Sequence, residues 1–459
     1  MHKITKDALT LLVFSAVAGI ASYLYFFAMA RMLSIEDYGL LSSINSLLYI
    51  LSIPQETIRT VLSVFIAKFN VKKEKGKMHS LISSYLKRMF LFSGILFVIF
   101  LALSPLVAML LHASFSILLA TSLSLIFAFA LPVVWGVLQG LEKFKEMGIN
   151  DSVFNVAKLV AAMVLVLMLP SNMKIYGALL SAPISMALAF FLGFWYFKDI
   201  RKIKKQDVKE KTTRYSLATL LIFGLVTLMY SVDVIIARFF LTPKMAGIYG
   251  AISTIGKALF FIATGIKRVM VPNLAEEDEK QHKKESMGIL KKAGGLIAGL
   301  FGAAFVLSLF VSEWVVKIVL GSKYLIAAPY LKYMVIAMAL FSFSNLLVYY
   351  NLVTNKNKRI TFQVLLATTF LQIALMIFFH QNIMQLIWIQ IALYGALLII
   401  MIVISLVPHK EQEPLEPLGS INIFNVEKSK KKEAKERQES ISKKERYKNQ
   451  PPLKKKWTK

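Results

Sequence analysis

Charged side chains inside long apolar runs are the residues of this 459-residue chain best placed to do chemistry. At the centre of a membrane helix a Lys, Arg or Asp costs about 2.5–3.5 kcal/mol on insertion scales, so each one needs a partner or a task. Glu56 and Arg59 stand three residues apart, on one helical face, where they can pair. Lys158, Lys257 and Lys267 lie inside other runs, Arg268 follows Lys267 directly, and Asp233 is a lone carboxylate in a run of its own. Cations at such depth suit an anionic headgroup. Arginine grips phosphate oxygens bidentately, whereas lysine supplies a point charge. Arg59, Lys257, Lys267, Arg268 and Lys158 are therefore the candidates for substrate binding in a cationic cavity. Glu56 and Asp233 are candidates for structural pairing or for coupling to a proton or sodium gradient.

Each candidate also has a plainer reading. Arg268 could reach the membrane interface, and Glu313 and Lys317, four apart, read as a structural pair. Arg31, Arg238 and Lys317 lie near the ends of apolar runs and read as snorkelling to headgroups. Asn45, Gln55, Gln139, Asn155 and Asn345 could hydrogen-bond sugars, although holding helices together is the simpler role.

Other chemistries find no support. The chain has no cysteine, its six histidines show no metal-ligand spacing, and no glycine-rich phosphate loop is present. No catalytic residue, metal or bound cofactor is expected, and the chain does not read as an enzyme. A net charge of +28 and a pI near 9.9 could suggest nucleic acid. The basic residues, however, sit in short loops between apolar runs and in a terminal tail, which is the pattern of a basic cytoplasmic face and not of a nucleic-acid-binding domain.

The elements that must position these residues follow from composition. Hydrophobic residues make up 57% of the chain, mean hydropathy is +0.62 and only 17% of residues are charged. That is more apolar surface than a soluble domain can hide. Counting runs of about 20 residues gives an all-α integral membrane protein of about 12 transmembrane helices. The first six are Leu9–Ala30, Leu40–Ala67, Met89–Leu111, Phe115–Leu138, Val153–Leu169 and Ile175–Phe197. The second six are Tyr215–Leu241, Ala246–Pro272, Ala293–Leu320, Ile326–Val353, Ile360–His380 and Ile383–Val407. Ala28-Met29-Ala30 resembles a signal-peptidase site, but the run before it is long for a signal peptide, and we read it as a retained helix. Lysine and arginine cluster in alternate loops: Lys68–Lys77, Lys143 and Lys145, Lys198–Arg214, Lys280–Lys292 and Lys356–Arg359. That alternation implies a multi-pass protein of the cell (cytoplasmic) membrane with both termini cytoplasmic.

From Pro408 the composition turns to Glu, Lys, Ser and Gln, with fifteen Lys/Arg against eight Glu, a net charge of +7. Residues 408–459 thus read as a disordered basic cytoplasmic tail, a solvated segment or one attracted to anionic headgroups.

The runs repeat. Arg31–Leu51 and Ile236–Phe261 echo each other, and setting Gly39 against Gly247 gives an offset of 208, at which Arg59 meets Lys267. Arg31 meets Arg238 at 207. A parallel repeat of six helices implies two pseudo-symmetric six-helix lobes around a central cavity, residues 1–200 and 201–407.

Three segments then carry a family resemblance. RMLSIEDYG from Arg31 resembles the outer turn between the first two helices of polysaccharide transporters. Asp233 to Pro272 resembles their seventh and eighth helices, with Asp233, Gly247, Tyr249 and Pro272 at characteristic positions. WGVLQGLEKFKEMGI from Trp135 is similar to their link between helices four and five. The family, which includes the Wzx-type flippases, belongs to the multidrug/oligosaccharidyl-lipid/polysaccharide exporter superfamily. The resemblance implies alternating access of the cavity to each side. Its implied cargo is an oligosaccharide on a polyprenyl (pyro)phosphate, moved from the cytoplasmic to the outer leaflet, and polysaccharide-assembly proteins are implied partners. Within the superfamily the alternatives are a lipid II flippase or a small-molecule efflux antiporter. The former branch carries about fourteen helices and an arginine inside the first, neither evident here. Efflux of cationic drugs calls for acidic residues in the cavity. The alternative of another class, a membrane-embedded glycosyltransferase, calls for a large outer loop, and every outer loop here is short.

Overall fold

The computed structural model describes residues 2–206, 217–279, 283–354 and 358–406. Among them every regular element is helical, and twelve helices are long and apolar enough to cross a membrane. In lipid a helix is the structure that satisfies its backbone polar groups within one segment, so runs this apolar have little choice. The first six spans are Val13–Met32, Ile35–Val71, Lys75–Leu111, Phe115–Gly140, Phe144–Met168 and Ser171–Trp195. Spans 7 to 12 are Leu221–Phe240, Pro243–Lys267, Lys284–Phe310, Ser322–Val353, Arg359–Phe378 and Ile383–Leu406. The chain is a multi-pass membrane protein, and each expected run has its counterpart. The tail from residue 408 lies outside the described residues, as do parts of the lysine-rich links.

Span 2 is not one helix. Helix Ile35–Leu51 ends at Ser52 and helix Ile53–Val71 begins beyond it. Pro54 has no N–H to give Ile50, and its ring crowds that carbonyl, so the α ladder stops. Ser52 N–H instead donates to Tyr49 O at 3.1 Å and Gln55 N–H to Ser52 O at 3.0 Å, two tight turns that redirect the chain. Glu56 and Arg59 therefore ride on the second piece. Span 9 also departs from the expected Ala293–Leu320. It ends at Phe310, and Ser312–Val319 is a separate short helix.

Spans 1, 5 and 6 pack together, as do spans 10 and 12, and helix Ile53–Val71 lies along Ala130–Gly140. The two halves meet where spans 7 and 8 pack on helix Ile35–Leu51. At the centre of that seam stand Gly39 and Gly247, the pair that aligns the two repeats. A methyl group on Gly39 would lie 2.7 Å from Gly247 Cα, and one on Gly247 would lie 2.0 Å from Ile35 O. Only two glycines let these backbones touch. Tyr38 donates to Thr254 Oγ1 at 3.1 Å beside them, and Tyr23 donates to Lys257 O at 3.1 Å deeper in.

The links fall on two faces. One holds the described parts of the lysine-rich links and both ends of the described chain. The other holds the short turns after spans 1, 3, 5, 7, 9 and 11. The Gly39–Gly247 seam is in the half of the molecule toward the short turns.

Candidate functional site

Arg59 sits one turn past the Pro54 break, on a helix that span 4 approaches through glycine. A methyl on Gly136 would lie 2.7 Å from Arg59 O, and one on Gly140 would lie 2.5 Å from Ser63 O. This close approach brings Gln139 within reach: Arg59 Nε donates to its Oε1 at 3.0 Å. Arg59 also pairs with Glu56, Nη1 to Oε2 at 3.5 Å, as the spacing predicts. Glu56 is 66% exposed, so the pair is loose, and Arg59 itself keeps 27% exposure.

Lys267, the repeat mate of Arg59, is 2% exposed. Its ammonium donates to Asn345 Oδ1 at 2.6 Å and sits 4.9 Å from the Phe260 ring and 5.1 Å from that of Tyr349. The repeat thus extends to the partners. Arg59 on span 2 meets an amide on span 4, and Lys267 on span 8 meets an amide on span 10. Gln139 and Asn345 are helix-joining groups here, each holding a cation in the lysine-rich half of its span.

Asp233 and Lys257 pair directly, at 3.0 Å. Asp233 is fully buried, and its second oxygen accepts from Tyr249 OH at 3.0 Å, Gln390 Nε2 at 3.1 Å and Ser253 Oγ at 3.2 Å. Tyr249, Ser253 and Lys257 follow at intervals of four, one stripe of span 8 turned toward span 7. That stripe is readable in the sequence, whereas Gln390 comes from span 12 and only the fold brings it near.

Lys158 is placed differently again. Its ammonium lies 4.2 Å from the centroid of the Tyr25 ring and 5.6 Å from that of Phe26, both on span 1. Cation–π contact is its described interaction, with no carboxylate beside it among the described residues. Tyr25 is fixed by a hydrogen bond to Ala178 O at 3.0 Å. It stands 208 residues before Asp233, so each half sets a mid-span lysine against the same repeat position, an aromatic ring in one and a carboxylate in the other. Arg268 lies on the helix Pro243–Glu279, with its side chain outside those described.

Each of these cations meets a different set of side chains, and they do not form one cluster. Two expectations need correction. Glu313 and Lys317 are both exposed on the short helix and form no ion pair among the described residues. Arg31 and Arg238 do not simply snorkel, because both donate to carbonyls of the opposite half. No group of three or more His, Asp or Glu able to hold a metal is found among the described residues.

Comparison with known proteins agrees with this architecture. The fold is similar to that of an inward-facing multidrug-resistance transporter of the MATE family and MOP superfamily. The TM-score is 0.68 at 13% identity, covering 87% of this chain and 96% of that one. It is similar as well to a lipid II flippase in an inward-closed conformation, with a TM-score of 0.63 at 15% identity, covering 86% and 87% respectively. An uncharacterized membrane protein of Methanocaldococcus jannaschii is 23% identical over 303 residues, 61% of this chain and 70% of that relative. A family model described as polysaccharide biosynthesis protein matches residues 4–277, from the first span through the eighth with Arg59, Lys158, Asp233, Lys257 and Lys267 inside it, and the chain belongs to that polysaccharide-transporter-type family.

Proposed function

We propose that this protein is a flippase that moves a polyprenyl-(pyro)phosphate-linked oligosaccharide from the cytoplasmic to the outer leaflet by alternating access. The observation that carries the reading is the charge balance at depth. Asp233 is paired with Lys257, while among the described residues Lys158 meets aromatic rings and no carboxylate, and Arg59 holds an exposed carboxylate loosely. The surplus is positive. A sugar pyrophosphate cannot shed its water into hydrocarbon unaided, so a cationic, hydrated path is what such a cargo requires. Arg59 and Lys267 lie toward the lysine-rich face, where a headgroup arriving from the cytoplasmic leaflet would meet them first. Efflux of cationic compounds fits less well, since Asp233 is enclosed and saturated.

The orientation belongs to this reading: the lysine-rich face is cytoplasmic. The chain has no native cysteine, so a single one placed at exposed Lys204 should stay unlabelled by impermeant thiol reagents on intact cells, and labelling would reverse the orientation. The basic tail would sit against anionic headgroups on that side, and polysaccharide-assembly proteins are the expected neighbours.

The experiment uses vesicles or cells that report translocation of lipid-linked sugar. Lys267→Ala and the Glu56→Gln/Arg59→Gln double variant, at normal membrane abundance, should each lose at least about tenfold in rate, the equivalent of one charged hydrogen bond. Arg59→Lys should keep part of the activity. Full transport by both Lys267→Ala and the double variant contradicts the cationic-path assignment. Imposed proton or sodium gradients in the same vesicles decide the coupling. An ion bound at Asp233 would have to displace Lys257, and a rate indifferent to both gradients removes coupling from the proposal.

A further inference from the structure

Arg31 ends span 1 and Arg238 ends span 7, the corresponding span of the second repeat. Arg238 is 4% exposed and reaches out of its own half. Its Nε donates to Leu111 O at 2.8 Å and its Nη2 to His112 O at 3.4 Å, where span 3 ends. Its Nη1 turns to Glu36 O at 3.3 Å, at the start of span 2. Arg31 does the reciprocal. Its Nη2 donates to Lys317 O at 3.4 Å and to Ile318 O, in the last turn of the short helix that follows span 9.

Spans 3 and 9 occupy the same place in the repeat, and the two acceptor pairs lie 206 residues apart. Each arginine therefore caps helix-terminal carbonyls that belong to the other half. Helix-terminal carbonyls carry the negative end of the helix dipole, so a guanidinium is well matched to them, and it adds to the backbone bond that Lys317 O already accepts from Gly321 N–H at 3.1 Å. His112 takes the left-handed conformation, at φ 48°, a common way for a helix to end, and its N–H donates to Ala108 O. A third arm reinforces the first: Lys323 of span 10 donates to Arg31 O at 3.2 Å and to Leu33 O, at the end of span 1. All these contacts lie on the short-turn face, beyond the Gly39–Gly247 seam.

We propose that Arg31 and Arg238 form a two-armed clasp, related by the internal repeat, that holds the short-turn face shut and must release both arms for that face to open. The clasp uses side chain to backbone contacts, so it depends on its donors, the two arginines with Lys323 in support, and not on the side chains at its acceptor positions. Its place in a transport cycle rests on the flippase reading above, because cargo released on that face must pass between its arms. The clasp itself is a statement about two conformers and can be tested without cargo.

Cysteines at Asn172 and Gln381, exposed on the short turns of the two halves, can carry spin labels in the otherwise cysteine-free chain. Pulsed electron–electron resonance then reads the distance between the halves on that face. The protein with both arginines should give one short-distance population. Arg238→Gln should raise the ratio of long to short distances by about tenfold, as loss of a charged hydrogen bond would. Arg31→Gln should raise it too, and the double variant should raise it more than either. Should Arg238→Gln fail to fold, the exposed pair Arg31→Gln/Lys323→Gln carries the test, with the same shift expected. A distance distribution unchanged in the double variant, or in that exposed pair if Arg238→Gln does not fold, overturns the clasp. If the distances shift but the unsubstituted protein moves no lipid-linked sugar, the clasp stands and the transport reading falls.

Discussion

Asp233 has no surface open to solvent and is met by four side-chain donors, of which Lys257 alone carries charge. In a membrane interior a carboxylate with fewer partners would be costly, and the pair is retained because either half alone is worse than both together. Lys257→Met should therefore lower stability by about 3–5 kcal/mol, seen as a lower thermal midpoint in detergent, while Asp233→Asn/Lys257→Met should recover most of it. A double variant no more stable than the single would show that the pair is not the main contribution at this site. Part of the cluster is legible in the sequence: Tyr249, Ser253 and Lys257 at four-residue spacing define a polar stripe on an apolar helix. Gln390 and Asn345 are not legible as partners, because an amide among apolar residues has many helices to meet and its mate is set by packing. The same limit hid the role of Arg31 and Arg238. Their position at the ends of spans is visible in the sequence, but the carbonyls they reach belong to another half of the chain.

At the scale of the helix, two devices shape the site. Pro54 breaks span 2 and turns Arg59 toward span 4. A single span from Leu40 to Ala67 overlooks a proline that stands in plain view, because the apolar count rises straight through it. Glycine is the second device. Gly247 faces Ile35 O at a distance that excludes any methyl group, whereas Gly265 on the same span has nothing within 4 Å of its would-be Cβ. Gly247→Ala should force the halves apart and cost about 1–3 kcal/mol, as overpacked substitutions do. Gly265→Ala should be neutral or stabilising by about 0.5–1 kcal/mol through helix propensity. Thermal unfolding of the two variants in one detergent checks the contrast, and equal effects would remove the seam from the account. The repeat alignment at offset 208 identifies both glycines before any contact is known, which is why this part of the fold is readable from the chain alone.

At the scale of the molecule, the number of spans and their relation by repeat follow from run length and internal similarity, since lipid permits few alternatives to helices. Which face is shut does not follow, because closure is decided by contacts between halves that differ little in energy. The structure has its named cross-half hydrogen bonds toward the short-turn face, and its cations Arg59 and Lys267 toward the other. The proposed cargo carries a phosphate on a lipid tail, and its charge is the part the cations would meet. The most direct measurement is therefore made with the full chain reconstituted in vesicles, comparing one oligosaccharide on a polyprenyl pyrophosphate with the same oligosaccharide on an uncharged lipid. A cationic path predicts protein-dependent translocation of the pyrophosphate-linked cargo, and little of the uncharged one. Equal movement of both, or none of the pyrophosphate-linked cargo beyond protein-free vesicles, would contradict it.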